Sequence, residues 1–477
     1  MPSPCPKCGF ESPDGFAYCG RCGTRLAAAA PAEGERDATI QQLKEAGDAA
    51  KRSADPAAAL EHYQKALTLL DSAILASDAT LHVQLLKTRF DILAERVPLW
   101  AASGRPDRVE PDLKEMLAIA RRAGDGARLA QAITALARHY LAGRLDELAR
   151  PLLEEAVSLL RSQNDLAGEA AALADLAYLN WRAGRLDTVA DAFQRAHELR
   201  RHVADPAGLA RSYFDLGLLY RDGLSHPFHA VNHFEKSIEL ARQAGDIGLE
   251  TRGWIELGVS RTRLGDYPHA QAVLEQAQHR QPDAGSSEGL AWLLVAQADL
   301  LRETGSPDAH TVIERAIGQA IELDLADLEW SALLGRARVE QAAGAWEAAR
   351  APIDRMQALE HDGGLFAYCA IWSSALLART CAHTGQPDLA ATVSAGAVNA
   401  LQAHGFTGVP APQAILWAHF EALNAKNDPS AFHFLRQARE LMLAQANTIG
   451  DGGLRARFLR DVSINRAIGD DWARQHA

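Results

Sequence analysis

The sequence predicts an all-α chain built as a solenoid of about eight to nine helix pairs. Three observations carry that expectation. Apolar residues make up 48% of the chain and aromatics only 6%, because Ala and Leu dominate, and both favour helix. A glycine recurs every 39 to 42 residues, at 104, 143, 184, 223, 265, 305, 344 and 385. A second series of breaks falls between these, at Gly124, Asn164, Asp205, Gly245, Gly285, Asp324, Gly363 and Gly405. Two interleaved series at a period near forty describe a helix, a tight turn, a second helix and a short link, repeated.

The first element in the chain is of another kind. Cys5-Pro6-Lys7-Cys8 and Cys19-Gly20-Arg21-Cys22 are two Cys-x-x-Cys knuckles, each able to grip one side of a tetrahedral ion. An all-thiolate set suits Zn²⁺, and a segment this short cannot fold on a core of its own, so metal supplies the folding energy. Paired disulfides or a redox motif are the alternative; a reducing compartment disfavours the first, and no βαβ pattern surrounds the second. Residues 1–25 are therefore expected to be a zinc ribbon with a closed, structural Zn²⁺ site on Cys5, Cys8, Cys19 and Cys22. The remaining cysteines, Cys369 and Cys381, lie twelve apart on one expected helix, roughly 18 Å along its axis, and read as buried thiols.

Residues 26–36, Ala-rich with Pro31 and Gly34, read as a linker. The solenoid is expected over 37–409. Breaks at Asp55-Pro56 and Ser77-Asp78 mark a degenerate first unit. After Pro410-Ala411-Pro412 the beat stops, and 410–477 read as C-terminal capping helices, ending in Phe458-Leu459-x-x-Val462-x-x-Asn465.

Charge limits the partners. Lys plus Arg is 49 and Asp plus Glu is 61, a net charge of −12, so nucleic acid and anionic membrane are poor partners. The ribbon has three basic residues against two acidic ones, and four thiolates on Zn²⁺ leave it net negative. No run of 18 apolar residues is present, so no membrane span is expected. Nothing at the start reads as a signal peptide, and the expected location is cytoplasmic.

No catalytic motif survives its context. No phosphate-cradling glycine loop occurs. Gly285-Ser286-Ser287-Glu288-Gly289 matches a nucleophile elbow in sequence but falls on a link between helices, where Ser286 or Ser287 reads as an N-cap. His197 and His202 are five apart and diverge on a helix. His226, His229 and His233 share a face at steps of three and four, a candidate Zn²⁺ or Ni²⁺ site, but Pro227 pushes His226 out of the helix. No enzyme activity is expected.

Around the turns the packing residues repeat. Trp254-x-x-Leu257-Gly258 precedes Gly265, and Tyr267, Ala270, Leu274 and Ala277 follow it. Tyr213-x-x-Leu216-Gly217-x-x-Tyr220 is followed by Ala230, Phe234 and Ser237. These residues resemble tetratricopeptide repeats of a long form, over roughly 320 residues. The resemblance implies a right-handed α-solenoid whose first helices line a concave groove for a peptide or helix of a partner protein. The tail resembles the helical-repeat arms of class III adenylate cyclases and large LuxR-type regulators, whose catalytic domains are missing here.

In such a groove the inward stripe comprises Trp181, Arg182, Arg211, Arg221, Arg252, Arg263 and Arg302, continuing through Trp292, Arg338, Trp372 and Arg379. An Arg- and Trp-lined face suits an acidic segment or a free C-terminus of another protein. Alternatively these arginines pair with acids on adjacent helices, Asp222, Asp299 and Glu303 among them. The function expected is that of a non-enzymatic interaction scaffold; the alternative is a regulatory subunit acting in trans on an ATPase, a cyclase or a transcription complex.

Overall fold

The computed structural model describes residues 3–4, 7–8, 11–12, 21–22, 24, 33–77, 79–361 and 363–476. Helix of all kinds accounts for 82% of them. The strands among them are β1 (Ser3–Pro4) and β2 (Glu11–Ser12), an antiparallel pair in the register Ser3↔Ser12 and Pro4↔Glu11. The first cysteine knuckle falls on their connection. Cys5 and Cys19 lie outside the described residues; Cys8 and Cys22 are exposed.

Contacts divide the chain into two compact units, residues 1–139 and 140–477, with the boundary inside α5. The first unit contains α1 (Glu33–Arg52), α2 (Pro56–Ala76), α3 (Ala79–Ala102), α4 (Val109–Ala123) and most of α5 (Gly126–Ala142). Helix α1 starts at Glu33, so the last four residues of the stretch read as linker are helical. Glu35, Arg36 and Asp37 continue directly into the helical pattern, which outweighs the single Gly34. The break at Asp55-Pro56 is an N-cap, with the Asp55 carboxylate accepting from the Ala58 N–H and Pro56 opening α2. Tyr63 of α2 is fully buried and donates to Asp48 at 2.6 Å. Arg96 of α3 forms a buried bidentate pair with Asp112 of α4, which also accepts from Trp100.

The second unit continues with α6 (Asp146–Ser162), α7 (Leu166–Arg182), α8 (Val189–Val203), α9 (Pro206–Leu218), α10 (Pro227–Ala244), α11 (Ile247–Arg263), α12 (Tyr267–Ala284), α13 (Ser287–Glu303), α14 (Ala309–Glu322), α15 (Ala326–Ala342), α16 (Arg350–His361), α17 (Tyr368–His383) and α18 (Pro387–Ala403). It ends with α19 (Pro412–Ala425), α20 (Ala431–Asn447), α21 (Gly452–Arg460) and α22 (Ser463–Arg474). Consecutive helices pack on each other, and α7, α9, α11, α13, α15 and α17 also pack in a row. This is the all-α, TPR-like stack of helix pairs that the forty-residue beat implies.

Most of the breaks in both series fall on left-handed residues; at Asp205, an N-cap, the left-handed residue is the preceding Ala204. Gly104, Gly184, Gly265, Gly305, Gly344 and Gly385 have φ between 67° and 78°, where glycine carries no Cβ penalty. In the two remaining turns the left-handed residue is displaced, to Arg144 beside Gly143 and to Ser225 beyond Gly223. Small residues admit large ones across each pair. A Cβ on Gly217 would stand 2.6 Å from the Phe234 ring, and one on Gly258 would stand 2.5 Å from Leu274. Phe234, Ala270, Leu274 and Ala277 are buried accordingly.

The tail does more than cap. Helix α19 is buried on nearly every side. Residues of α19–α22, Trp417, Leu435, Phe458 and Ile468 among them, share one apolar cluster with Phe214, Phe234 and Leu257 of α9–α11. The segment before α19 lies across earlier turns. The Gly408 N–H donates to the Gly223 carbonyl at 2.6 Å, Ser225 donates to the Val409 carbonyl, and Trp181 donates to the Gly408 carbonyl at 3.5 Å. The second unit therefore folds back on itself, and its inner face is bounded on the far side by its own later residues.

Candidate functional site

The inner face of the second unit encloses a cavity of about 1060 Å³. One side comes from α7, α9, α11, α13, α15 and α17, the other from 410–418, Gln445 and residues 458–467. Its lining holds seven arginines and seven carboxylates together with Trp181, Trp292, Trp330, Trp372 and Trp417, so the face is charge-balanced and aromatic.

Arg221 is the centre of the frame. A π-turn, Leu219–Gly223, follows α9 and brings both Arg221 and Asp222 to the cavity. Arg221 is 6% exposed. It binds Asp222 through Nε and Nη2 (3.1 and 2.7 Å) and also binds Glu256 of α11. Asp222 accepts in turn from Arg263 at 2.6 Å. Burial alone would raise the Asp222 carboxyl, but Arg221 and Arg263 outweigh it and hold the pKa down at about 2.

A second cluster lies one unit on. Arg302 is buried and binds Asp299 at 2.7 Å and Glu303 at 2.5 Å. Arg338 of α15 reaches Asp299 at 3.1 Å and lies over the Trp372 ring. Burial and the neighbouring Arg302 lower the Arg338 pKa, while Arg302 holds Glu303 ionised against its own burial.

Arg211 and Arg252 are held differently. Arg211 binds Asp215 at 2.9 Å, and its side chain is 53% exposed. Arg252 is half-exposed and lies 3.5 Å from Glu288 and 3.8 Å from Glu256, beyond good hydrogen-bond distance. Its Nε is buried with no hydrogen-bond partner. Both guanidiniums lie against the Phe214 ring, at 5.8 and 5.6 Å, and Arg252 also against Trp292, at 5.9 Å.

Of the residues expected on the inward stripe, Trp181, Arg211, Arg221, Arg252, Arg263 and Arg302 line the cavity. Arg182 turns away onto Asp146 of α6 at 2.8 Å, since adjacent residues on a helix point about 100° apart. Six of the seven have an acid or carbonyl partner at hydrogen-bond distance; Arg252 has only the looser ion pairs to Glu288 and Glu256. Tyr178, Phe214, Glu256 and Glu288 also line the cavity, as does the far wall, and none of them belongs to the expected stripe. The first four lie three or four residues from Trp181, Arg211, Arg252 and Trp292 respectively, on the same helical faces, which is the signal that would have found them.

The other candidate motifs resolve into packing. Ser286 is the N-cap of α13, accepting from the Gly289 N–H at 3.0 Å. His226 is the N-cap position before Pro227. The Tyr220 ring stacks on His233 (4.8 Å) and on His229 (5.7 Å), so an aromatic ring stands where a shared ion would have to sit. Among the described residues no group of three or more metal-binding side chains converges. Cys369 and Cys381 are buried, and burial raises both thiols. No described helix is long and apolar enough to cross a membrane.

No protein-family model matches the chain, and no curated protein does. Among solved structures it is similar to a Rap protein complexed with competence and sporulation factor, at 10% identity over 72% of this chain and 99% of that one, with a TM-score of 0.49. It is also similar to yeast Tom70, at 14% identity over 92% and 97% of the two chains (TM-score 0.39). A third similar structure is BtubC from P. vanneervenii, at 18% identity over 53% and 92% (TM-score 0.38).

Proposed function

We propose that the chain is a non-enzymatic binding protein whose cavity receives a peptide segment of a partner protein, one that is acidic or ends in a free carboxylate. The observation that carries this reading is Arg252, with its unpartnered Nε, clamped between Phe214 and Trp292 beside the half-exposed Arg211. Two guanidiniums on one aromatic ring make a planar donor face matched to a carboxylate. Arg221, Arg263 and Arg302 are committed to Asp222, Glu256, Asp299 and Glu303, and act as the frame. The volume slightly exceeds the roughly 300–1,000 Å³ of small-molecule sites and suits a short stretch of extended chain. The balanced charge offers no field for a phosphate backbone. The test is affinity capture with mass spectrometry, using the intact chain, the chain without residues 1–25, and Arg211→Ala/Arg252→Ala. The partner should survive the deletion and be lost with the two arginines; the opposite pattern would assign binding to the ribbon.

We also propose that Cys5, Cys8, Cys19 and Cys22 hold one structural Zn²⁺. The donor set supports this, as does the position of the first knuckle on the β1–β2 connection, where a ribbon needs it. Elemental analysis should find one zinc per chain. Cys5→Ser with Cys8→Ser should lose it, while helical circular dichroism falls by less than a tenth, because a repeat unit depends on its neighbours alone. A large loss of helix would show instead that the repeats depend on the ribbon.

A further inference from the structure

The far wall of the cavity is held in a way the other walls are not. Phe458, Val462, Ser463 and Asn465 line the cavity, on α21, the turn after it and α22. These two helices bury little: Phe458 on α21, and Asn465 and Ile468 on α22. The neighbouring α19 buries most of its length. The hairpin joins α20 through residues 448–451, with Gly450, Gly452 and Gly453 around Asp451, a permissive stretch for a change of backbone direction.

Its attachment to the opposite side adds polar bonds to the apolar cluster that Phe458, Val462 and Ile468 share with α9–α11. Arg457 Nη1 donates to Asp266 at 2.7 Å, and the Tyr267 hydroxyl donates to the Asp461 carbonyl at 2.8 Å. The Ser463 N–H and Oγ donate to Glu303 at 2.9 and 3.1 Å, and Arg302 donates to Ser463 Oγ at 3.3 Å. All of these contacts join residues more than 150 positions apart in sequence. An element with few buried apolar residues, glycines at its root and solvent-exchangeable latches belongs to the least stable part of a fold.

We infer that the α21–α22 hairpin is a hinged door to the cavity, swinging on residues 448–453 and latched by Arg457 to Asp266 and by Ser463 to Glu303. Opening breaks the Trp417–Asp471 and Gln413–Asn465 bonds and the Phe432–Trp472 stack, but needs no unfolding of α19 and α20, whose own burial holds them in place. A molecule bound inside is then enclosed behind the hairpin, and its release waits on the latches. The inference stands on this geometry whether or not the bound molecule is a peptide.

The protein carries its own probe. Cys369 is 3% exposed and lines the cavity, whereas Cys381, 1% exposed, does not. Labelling of the intact chain with N-ethylmaleimide, read cysteine by cysteine by mass spectrometry, reports access, and hydrogen exchange over 452–474 reports opening. In the unaltered chain 452–474 should exchange about tenfold or more faster than α19 and α20. Arg457→Ala with Ser463→Ala removes the side-chain part of both latches, including a charge-assisted bond, and leaves the Ser463 N–H on Glu303 and Tyr267 on the Asp461 carbonyl. It should raise exchange of 452–474 and labelling of Cys369 by about tenfold, with Cys381 and α19 unchanged. Exchange of 452–474 in step with α19 and α20 in the unaltered chain would overturn the inference without any variant. So would a variant that exchanges faster at 452–474 while Cys369 labels at its old rate.

Discussion

Arg221→Met should lower the free energy of unfolding by about 3 kcal/mol, because it leaves the buried Glu256 with only the distant Arg252, and Asp222 with Arg263 alone. The side chain is 7% exposed, and the two carboxylates it holds are 14% and 9% exposed. Met keeps much of the volume and the contact with the Phe234 ring, over which the guanidinium lies at 5.6 Å, so the loss is electrostatic. Arg263→Met is the control. It removes one of two cations from Asp222 but leaves Arg221, and should cost about 1 kcal/mol. Denaturant titration reads both as shifts in midpoint at constant slope. Equal small losses would mean that the arginines are surface charges, with no framing role.

Acidification should weaken the fold in two stages. Burial pushes the His233 and His419 pKa values down to about 4, from an ordinary value near 6.5. His419 bonds to Ser394 at 2.7 Å, packs edge-on against Phe434 and has only Asp428 as a charged neighbour. His233 stacks on Tyr220, near His197 and His229. Both are therefore neutral in the folded chain. As pH falls below 6.5 the unfolded chain takes up protons that the folded chain refuses. Stability is complete above pH 6.5 and is lost down to pH 4, by at most about 1.4 kcal/mol per pH unit for each histidine. Below pH 4 the sign of the charge involved changes but the direction does not. Asp222 stays ionised to about pH 2 when folded and protonates near 3.8 when unfolded, so its contribution is present above pH 3.8 and disappears towards pH 2. Denaturation midpoints at pH 7.5, 5.5 and 4.5 measure the first stage. His419→Gln should roughly halve its slope, leaving the His233 part, and a flat profile in the unaltered chain would contradict the burial of both rings.

The repeat architecture was legible because glycine spacing is a local property of the backbone. Every helix-pair turn needs one left-handed residue, and six of eight turns supply it as the glycine that marks the beat. The inward stripe was legible for the same reason, since helical phase places Trp181, Arg211 and Arg252 on one face. Its pairing state was open, and the structure shows why sequence leaves it so. Arg221 and Arg252 occupy equivalent faces, yet the π-turn after α9 puts Asp222 beside the first, while the second finds its carboxylates at 3.5 and 3.8 Å. One extra residue in a helical turn is below what periodicity resolves. The folding back of the tail was not legible at all. Tyr267 meets Asp461 across 194 positions, and nothing in either local sequence specifies that meeting.

Arg221 belongs to the frame, so the decisive binding variant spares it and removes Arg211 and Arg252. The measurement is isothermal titration, at low and at physiological salt, of short peptides selected from a random library with free C-termini. The selected peptides should be rich in Asp and Glu or depend on the terminal carboxylate, and should bind one per chain. Arg211→Ala/Arg252→Ala should weaken binding by about 2–5 kcal/mol, roughly 30-fold or more, in a chain that circular dichroism shows still folded at the titration temperature. Affinity should also fall as salt rises, since charges at the mouth are screened over roughly 10 Å at 0.1 M. If the best peptides bind the double variant within twofold of the unaltered chain at low salt, the cavity does not recognise acidic segments, and these arginines are ordinary ion-pair partners of their neighbouring helices.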